Sequence, residues 1–310
     1  MSHYWPFRQH RTVVQPSTPQ SSGAAQPSAT SSPSTLPPAD NRTRLANVPY
    51  FLPKDAEEDN RLNFQHRAIY AAIGNHYLAP IKAETATILD VGTGTGIWPV
   101  EMSPLFPQAH IVGLDIASSS FLYSSTAAYT FMLADALKGL PFPDRQFDYV
   151  HQRLMVAAVP AANWLDLIRE LVRVTRPGGW VEVLEIGVTI KNAGPETTRL
   201  LSWMGDRSKE RGFDMGMVSH LGDLLSRAGL QDVEIQNIPA PLGAWGGHVG
   251  SMLKSNVLSA YNALKGVYCA QANMKPEQYD AWVRAVADEW EQRHASYIFH
   301  AAYGRRALNG

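Results

Sequence analysis

Three acids and a cluster of glycines stand where this chain could do chemistry. "LDVGTGTGIW", Leu89 to Trp98, runs apolar residues into Asp90 and then sets Gly92, Gly94 and Gly96 at alternate positions. Glycine permits positive φ and close approach of a ligand to the backbone. A tight strand-to-helix turn of this kind sits at the carboxyl edge of a parallel sheet, where ligands of such folds bind. The spacing narrows the ligand. A P-loop needs Lys and then Ser or Thr after its last glycine, and Ile97 and Trp98 stand there instead. A dinucleotide turn prefers G-x-G-x-x-G; here the third glycine comes one position early, which demotes NAD and FAD without excluding them. "GLDIAS" supplies Asp115 about 20 residues further on, where a carboxylate accepts both ribose hydroxyls and repels a 2′-phosphate. "LADAL" supplies Asp135, an acceptor for the exocyclic amine of adenine. No basic clamp for a pyrophosphate is evident, so the pattern reads as a site for an adenosine without phosphates. Each acid also has a plainer role open to it. Asp115 could cap a helix, Asp135 the turn into "ALKGLPF", and Asp90 could bond local amides.

The elements that must hold these residues can be read from periodicity. "DAEEDNRLNFQHRAIYAAIGNHYLAP" predicts a helix over 54–79, with acids in its first turn, suited to the helix dipole, and a stripe at Leu62, His66, Ile69, Ile73 and Tyr77. "ATILDVG", "HIVGLDI", "YTFMLADA", "FDYVHQR" and "WVEVLEIGV" read as five short apolar strands. "GIWPVEMSPLF" is a helix that tolerates Pro99 only in its first turn. "NWLDLIRELVRVT" is an amphipathic helix capped by Asn163 and ended by "RPGG". Short apolar strands alternating with helices argue for a parallel sheet covered on both faces. Residues 195–211 and 217–229 are predicted helical, "DVEIQNIP" a strand, 247–265 and 276–293 helical, and "SYIFHAAYG" a last strand.

Composition bounds the setting. The 310 residues are 45% hydrophobic, enough for one large domain or two small ones. A formal net charge of −1 offers no surface for nucleic-acid phosphates or anionic lipid. One cysteine, Cys269, precludes an intrachain disulfide framework and zinc spacings are absent, so a metal is not expected and a reducing cytoplasm is the simplest setting. No run approaches the roughly 18 apolar residues of a membrane span. From Thr12 to Ala46 the chain is mostly Ser, Thr, Pro, Gln and Ala, too polar to offset the entropy of ordering it. Residues 1–46 are therefore expected to be a disordered leader, its aromatics Tyr4, Trp5 and Phe7 at the far end, and 47–310 the folded domain.

Taken in order, "ILDVGTGTGIW", "GLDIAS", "LADA", "FDYVHQR" and "RPGGWVEVLE" resemble the successive motifs of class I S-adenosylmethionine-dependent methyltransferases. The resemblance covers about residues 50 to 304, and five ordered motifs make it specific. Within that superfamily the chain is most similar to LaeA-like small-molecule methyltransferases of secondary metabolism, through "LPKDAEEDNRLNFQH", "HQRLMVAAVPAANW" and "APLGAWGGHVG", and through the short link "SSSFLYSSTAAY" between strands two and three. The resemblance implies an α/β, Rossmann-like, seven-stranded sheet with helices on both faces, and helical insertions over 195–229 and 245–293 that form a lid. It implies S-adenosyl-L-methionine as cofactor. Gly92, Thr93, Gly94 and Gly96 would form the turn under its methionine part, with Asp90 as a brace. Asp115 would hold the ribose, Ile116 would pack on adenine, and Asp135 with the backbone of Ala136 would read the adenine edge. His151 would face the sulfonium.

Methyl transfer from a sulfonium asks the protein mainly for alignment and desolvation. A hydroxyl or amine acceptor also needs a base, and His151 is the candidate, since histidine changes charge near neutral pH; it could equally be a packing residue. A π-rich carbon acceptor would lean on aromatic side chains instead. Tyr50, Phe51, the helix around His66, Trp203–Gly216 and "GAWGGHVGSML" are expected to wall the acceptor pocket, apolar and aromatic, suiting a small hydrophobic molecule better than a nucleic acid. Trp98, Trp164, Trp180, Trp245 and Trp282 are expected in core or lid packing. Homo-oligomerisation is left open. Two other functions stay in view: a LaeA-like regulator that binds the cofactor and acts through protein partners, and an NAD-dependent dehydrogenase.

Overall fold

The computed structural model describes residues 42–45, 52–119 and 129–309. Seven strands form one sheet: β1 Thr87–Val91, β2 His110–Asp115, β3 Tyr129–Leu133, β4 Phe147–Arg153, β5 Thr175–Lys191, β6 Leu230–Pro241 and β7 Ser296–Arg306, in the order β3-β2-β1-β4-β5-β7-β6. The first five are parallel. β7 runs antiparallel between β5 and β6. Chain order reverses at β1, which has β2 on one side and β4 on the other. This switch point opens a crevice at the carboxyl ends of the strands.

Alternation along the strands sorts the two faces. Leu89, Val91, Val112 and Leu114 belong to one core cluster with residues of α3 (Trp164–Val174) and α5 (Leu221–Arg227). Ile88, Ile111 and Tyr149 point the other way, onto Trp98 and Met102 of α2 (Ile97–Met102) and onto Phe106. A third cluster joins α1 (Ala56–Ile73), α4 (Pro195–Lys209), α6 (Gly247–Ala272) and α7 (Pro276–Gln292) through Ile69, Leu200, Met204, Val257 and Trp290. α4 is tied down across helices: Glu289 of α7 accepts from the amides of Glu196 and Thr197 at 2.9 and 2.8 Å, filling two of the donors a helix start leaves open.

Several boundaries differ from the sequence reading. α1 ends at Ile73 rather than at 79, because Gly74 adopts φ +80° and stops it. Tyr77 thus lies beyond the helix, edge-on to Phe106, and Glu182 of β5 holds the following amides of Leu78 and Ala79 at 2.8 and 2.7 Å. Asn163 precedes α3 but its side chain makes no capping bond. "RPGG" does not end that helix; it lies in the first residues of β5. The stretch 217–229 is divided between a 3₁₀ turn, Met215–His220, and α5. At the other end, Arg42–Leu45, assigned to the leader, instead contact the body: Thr43 O accepts from Lys54 N at 2.7 Å and Arg42 forks onto Asp55 at 2.9 and 2.5 Å. The rest of the leader, Tyr50, Phe51 and most of the link between β2 and β3 lie outside the described residues. No helix among the described residues is long and apolar enough to cross a membrane.

Candidate functional site

A cavity of about 470 Å³ opens at the switch point, within the range of about 300–1,000 Å³ usual for small-molecule sites. Its floor is the turn after β1. Gly92, Gly94 and Gly96 have φ of +73°, +60° and +79°, which L-residues with side chains adopt only at a cost. A Cβ on Gly92 would lie 2.3 Å from Met155 Sδ, so the backbone is pressed close beneath the loop that follows β4. Of the residues expected to hold the cofactor, Gly92, Thr93, Gly94, Asp115, Ile116, Asp135 and Ala136 line this cavity.

Asp90 and Gly96 do not. Gly96 caps the start of α2, and a Cβ there would meet the Tyr129 hydroxyl at 2.6 Å. The brace expected of Asp90 is supplied by Asp115, whose Oδ2 accepts from Gly94 N at 2.8 Å while Oδ1 accepts from Ala117 N at 3.1 Å. Burial raises the Asp115 carboxyl above its ordinary range, against the pull of those two amides. Asp135 lines the cavity and also caps the short turn after β3, accepting from Leu137 N at 3.0 Å.

His151 is the main departure. The register pairs Asp90 with His151 on adjacent parallel strands, so both side chains leave the same face. They meet there, Nδ1 to Oδ1, at 2.8 Å. Trp98 stacks on the imidazole with centroids 4.0 Å apart and planes 1° from parallel. His151 is 1% exposed and does not line the cavity. It sits beneath the floor, in contact with α2, where a base would have no route to an acceptor. The geometry gives it packing and support instead.

No basic clamp was expected at this edge, yet the cavity carries cations. Lys54, Arg61, Lys138 and Arg153 all line it. Arg153 follows His151 by two residues, so strand alternation puts it on the same face and one step nearer the open edge. Its Nη2 donates to His66 Nδ1 at 2.6 Å. His66 therefore reaches the site from α1 as a partner of Arg153 and not as an acceptor wall alone. The cavity is also lined by Leu201 and Met204 of α4, Val257 and Leu264 of α6, and Tyr297 of β7. Of the expected acceptor walls, Trp203 and the "GAWGGHVGSML" stretch do not line it, whereas Met204, Gly205, Ser208 and Met215 do. Trp203 packs on Tyr268 and Trp282 instead.

A turn open to ligand, acids at the ends of β2 and just after β3, and an arginine at the end of β4 fit an adenosine joined to a charged tail. Comparison with known proteins gives the same direction. A family model described as a methyltransferase domain matches residues 64–235. The chain is 29% identical to the methyltransferase pytC of Aspergillus terreus over 81% of this chain and 80% of that one. It is 25% identical to the N-methyltransferase gliN of Aspergillus fumigatus over 83% of this chain and 96% of that one. It is 26% identical to the secondary metabolism regulator laeA of Monascus pilosus, over 63% of this chain and 55% of that one.

Proposed function

The chain belongs to the methyltransferase domain family, and on that premise we propose that its acceptor is a small, largely apolar molecule of secondary metabolism. The methyl donor is S-adenosylmethionine, which supplies a methyl group already activated on a sulfonium. Asp115 would accept the ribose hydroxyls, Asp135 and the Ala136 backbone would take the adenine edge, and Gly92 to Gly94 would let the ligand lie against the backbone. The observation that carries the acceptor reading is the lid. Leu201, Met204, Val257 and Leu264 line the same cavity as the glycine turn, and such walls select apolar surface and exclude water. With His151 beneath the floor, the residues of this chain would act by alignment and desolvation, which can supply several kcal/mol of a barrier without a side-chain base. The relative named as an N-methyltransferase supports a nitrogen acceptor.

Calorimetry with S-adenosylhomocysteine, followed by turnover on a panel of apolar amines, alcohols and phenols read by mass spectrometry, tests this. Asp115→Ala removes charge-assisted hydrogen bonds of about 1.5–3 kcal/mol, so affinity should fall at least about tenfold in a folded variant. Unchanged affinity removes Asp115 from the ribose site. Binding without turnover on any amine, alcohol or phenol would favour the regulatory reading that the laeA similarity supports. Preference for NAD would point to a dehydrogenase.

A further inference from the structure

Four cations line the cavity, and three of them have carboxylate partners. Lys54 Nζ lies 3.3 Å from Asp59 Oδ1, Arg61 forks onto Glu58 at 2.9 and 2.7 Å, and Lys138 Nζ lies 3.4 Å from Asp135 Oδ2. Arg153 differs. Among the described residues its hydrogen-bond partner is His66, and His66 is neutral. The ring's Nε2 is 2.6 Å from Glu101 Oε2, so its one hydrogen is there, and the Nδ1 lone pair receives Arg153. Burial and the Arg153 charge hold the imidazole down to about 2. The same tautomer argues against a metal at the nearby His66, His76 and Glu101, although their ligand atoms lie within 4.8 Å of one another. His66 Nε2 carries a hydrogen where an ion would need a lone pair.

An enclosed cation facing a neutral partner is an incomplete pair. Burial lowers the guanidinium's affinity for its proton, and Asp90 and Glu101 offset this only from a distance. The sheet order says what completes it. Asp135 follows β3 by two residues, Asp115 closes β2, the glycine turn follows β1, and Arg153 closes β4, the next strand across. The register that pairs Val91 with Gln152 sets Arg153 level with Gly92. A ligand with its adenosine over β3 and β2 therefore brings its other end to Arg153.

We propose that Arg153 binds the α-carboxylate at the amino-acid end of the methyl donor, and that His66 is a positioning residue that holds the guanidinium in the cavity wall. This rests on the reading of the cavity as an S-adenosylmethionine site. A guanidinium suits the role because its planar fork matches a carboxylate with two parallel bonds.

The full chain is titrated with two probes, S-adenosylhomocysteine, which has the carboxylate, and 5′-methylthioadenosine, which lacks the whole amino-acid end. Arg153→Met should weaken the first about tenfold or more and leave the second within about twofold. His66→Ala should give the same selective loss, smaller in size; a merely structural role would move both probes together. Should Arg153→Met not fold, Arg153→Gln, which keeps a donor toward His66 and drops the charge, carries the comparison. Equal loss of both probes, or no loss of S-adenosylhomocysteine, overturns the assignment, and the latter would leave an acceptor's carboxylate as the anion. Wild-type protein that binds neither probe refutes the cofactor reading itself, a separate failure.

Discussion

At the scale of single residues, His151 shows how burial decides between roles. Its imidazole is covered on one face by Trp98, bonded at Nδ1 to Asp90, and closed off from the cavity. His151→Ala would leave a cavity under Trp98 and an Asp90 carboxylate, itself 2% exposed, without its partner. Together these cost roughly 2–5 kcal/mol. The melting temperature should therefore fall sharply, while turnover per folded molecule should fall by less than the about 10²-fold expected for loss of a general base. A variant that melts normally but has lost its rate would restore the catalytic role. Gly92, Gly94, Asp115 and Asp135 were legible in the sequence as residues that would line the cavity, because the chemistry of a turn and of strand-end acids is local. The sequence could not separate Asp90 from Asp115 as the brace, since both are acids at strand ends. What separates them is the β1–β4 register, which commits Asp90 to His151. Arg153 was legible in principle, two residues past a histidine on the same strand. Its importance depends on which cations already have partners, and those partners lie on other elements.

At the scale of elements, strand and helix types follow from apolar runs and periodicity, and the failures lie at ends. α1 shows why. The stripe from Leu62 continues to Tyr77, but Gly74 in the left-handed region stops the helix whatever the pattern beyond it. Its start is equally specific: Asp55 accepts from Glu58 N at 2.9 Å as the cap and also takes the Arg42 fork. Arg42 and Leu45 were invisible as part of the fold because the segment before them has a leader's composition. Leu45 nevertheless lines the cavity. Two truncations separate composition from contact. A chain starting at Arg42 should melt within a few degrees of the full chain, because residues 1–41 are too polar to form a core. A chain starting at Asn47 loses the fork onto Asp55. Such a part-exposed pair contributes up to about 1 kcal/mol, so it should melt a further few degrees lower and bind S-adenosylhomocysteine more weakly for want of Leu45. Identical behaviour of the two truncations would return 42–45 to the leader.

At the scale of the whole molecule, two buried groups, one bonded to the end of β4 and one to the loop after it, set how stability responds to pH. Glu185 of β5 holds the loop after β4, accepting from Met155 N at 2.7 Å and Val156 N at 3.0 Å, and burial pushes its carboxyl from an ordinary 4.5 up to about 8. Between those values the unfolded chain has lost this proton and the folded chain keeps it, so stability falls as pH rises through the window. His66 has the opposite sign. It is held from 6.5 down to about 2, so across that range the unfolded chain carries a proton that the folded chain refuses, and stability rises with pH. His76 and His300 are shifted in the same direction as His66, and Asp115 in the same direction as Glu185. The two windows overlap between 4.5 and 6.5, where the effects oppose. The melting temperature should peak within that overlap and decline on both sides, and between 6.5 and 8 the decline belongs to Glu185. Scanning calorimetry from about pH 3 to about pH 9 checks the shape. Glu185→Gln separates the cause: it keeps one acceptor for the Met155 and Val156 amides, so the variant should be less stable overall yet nearly flat between 6.5 and 8. If the alkaline decline persists in that variant, Glu185 is not its source. A wild-type melting temperature that rises through that interval would mean that the carboxyl is already ionised in the folded chain.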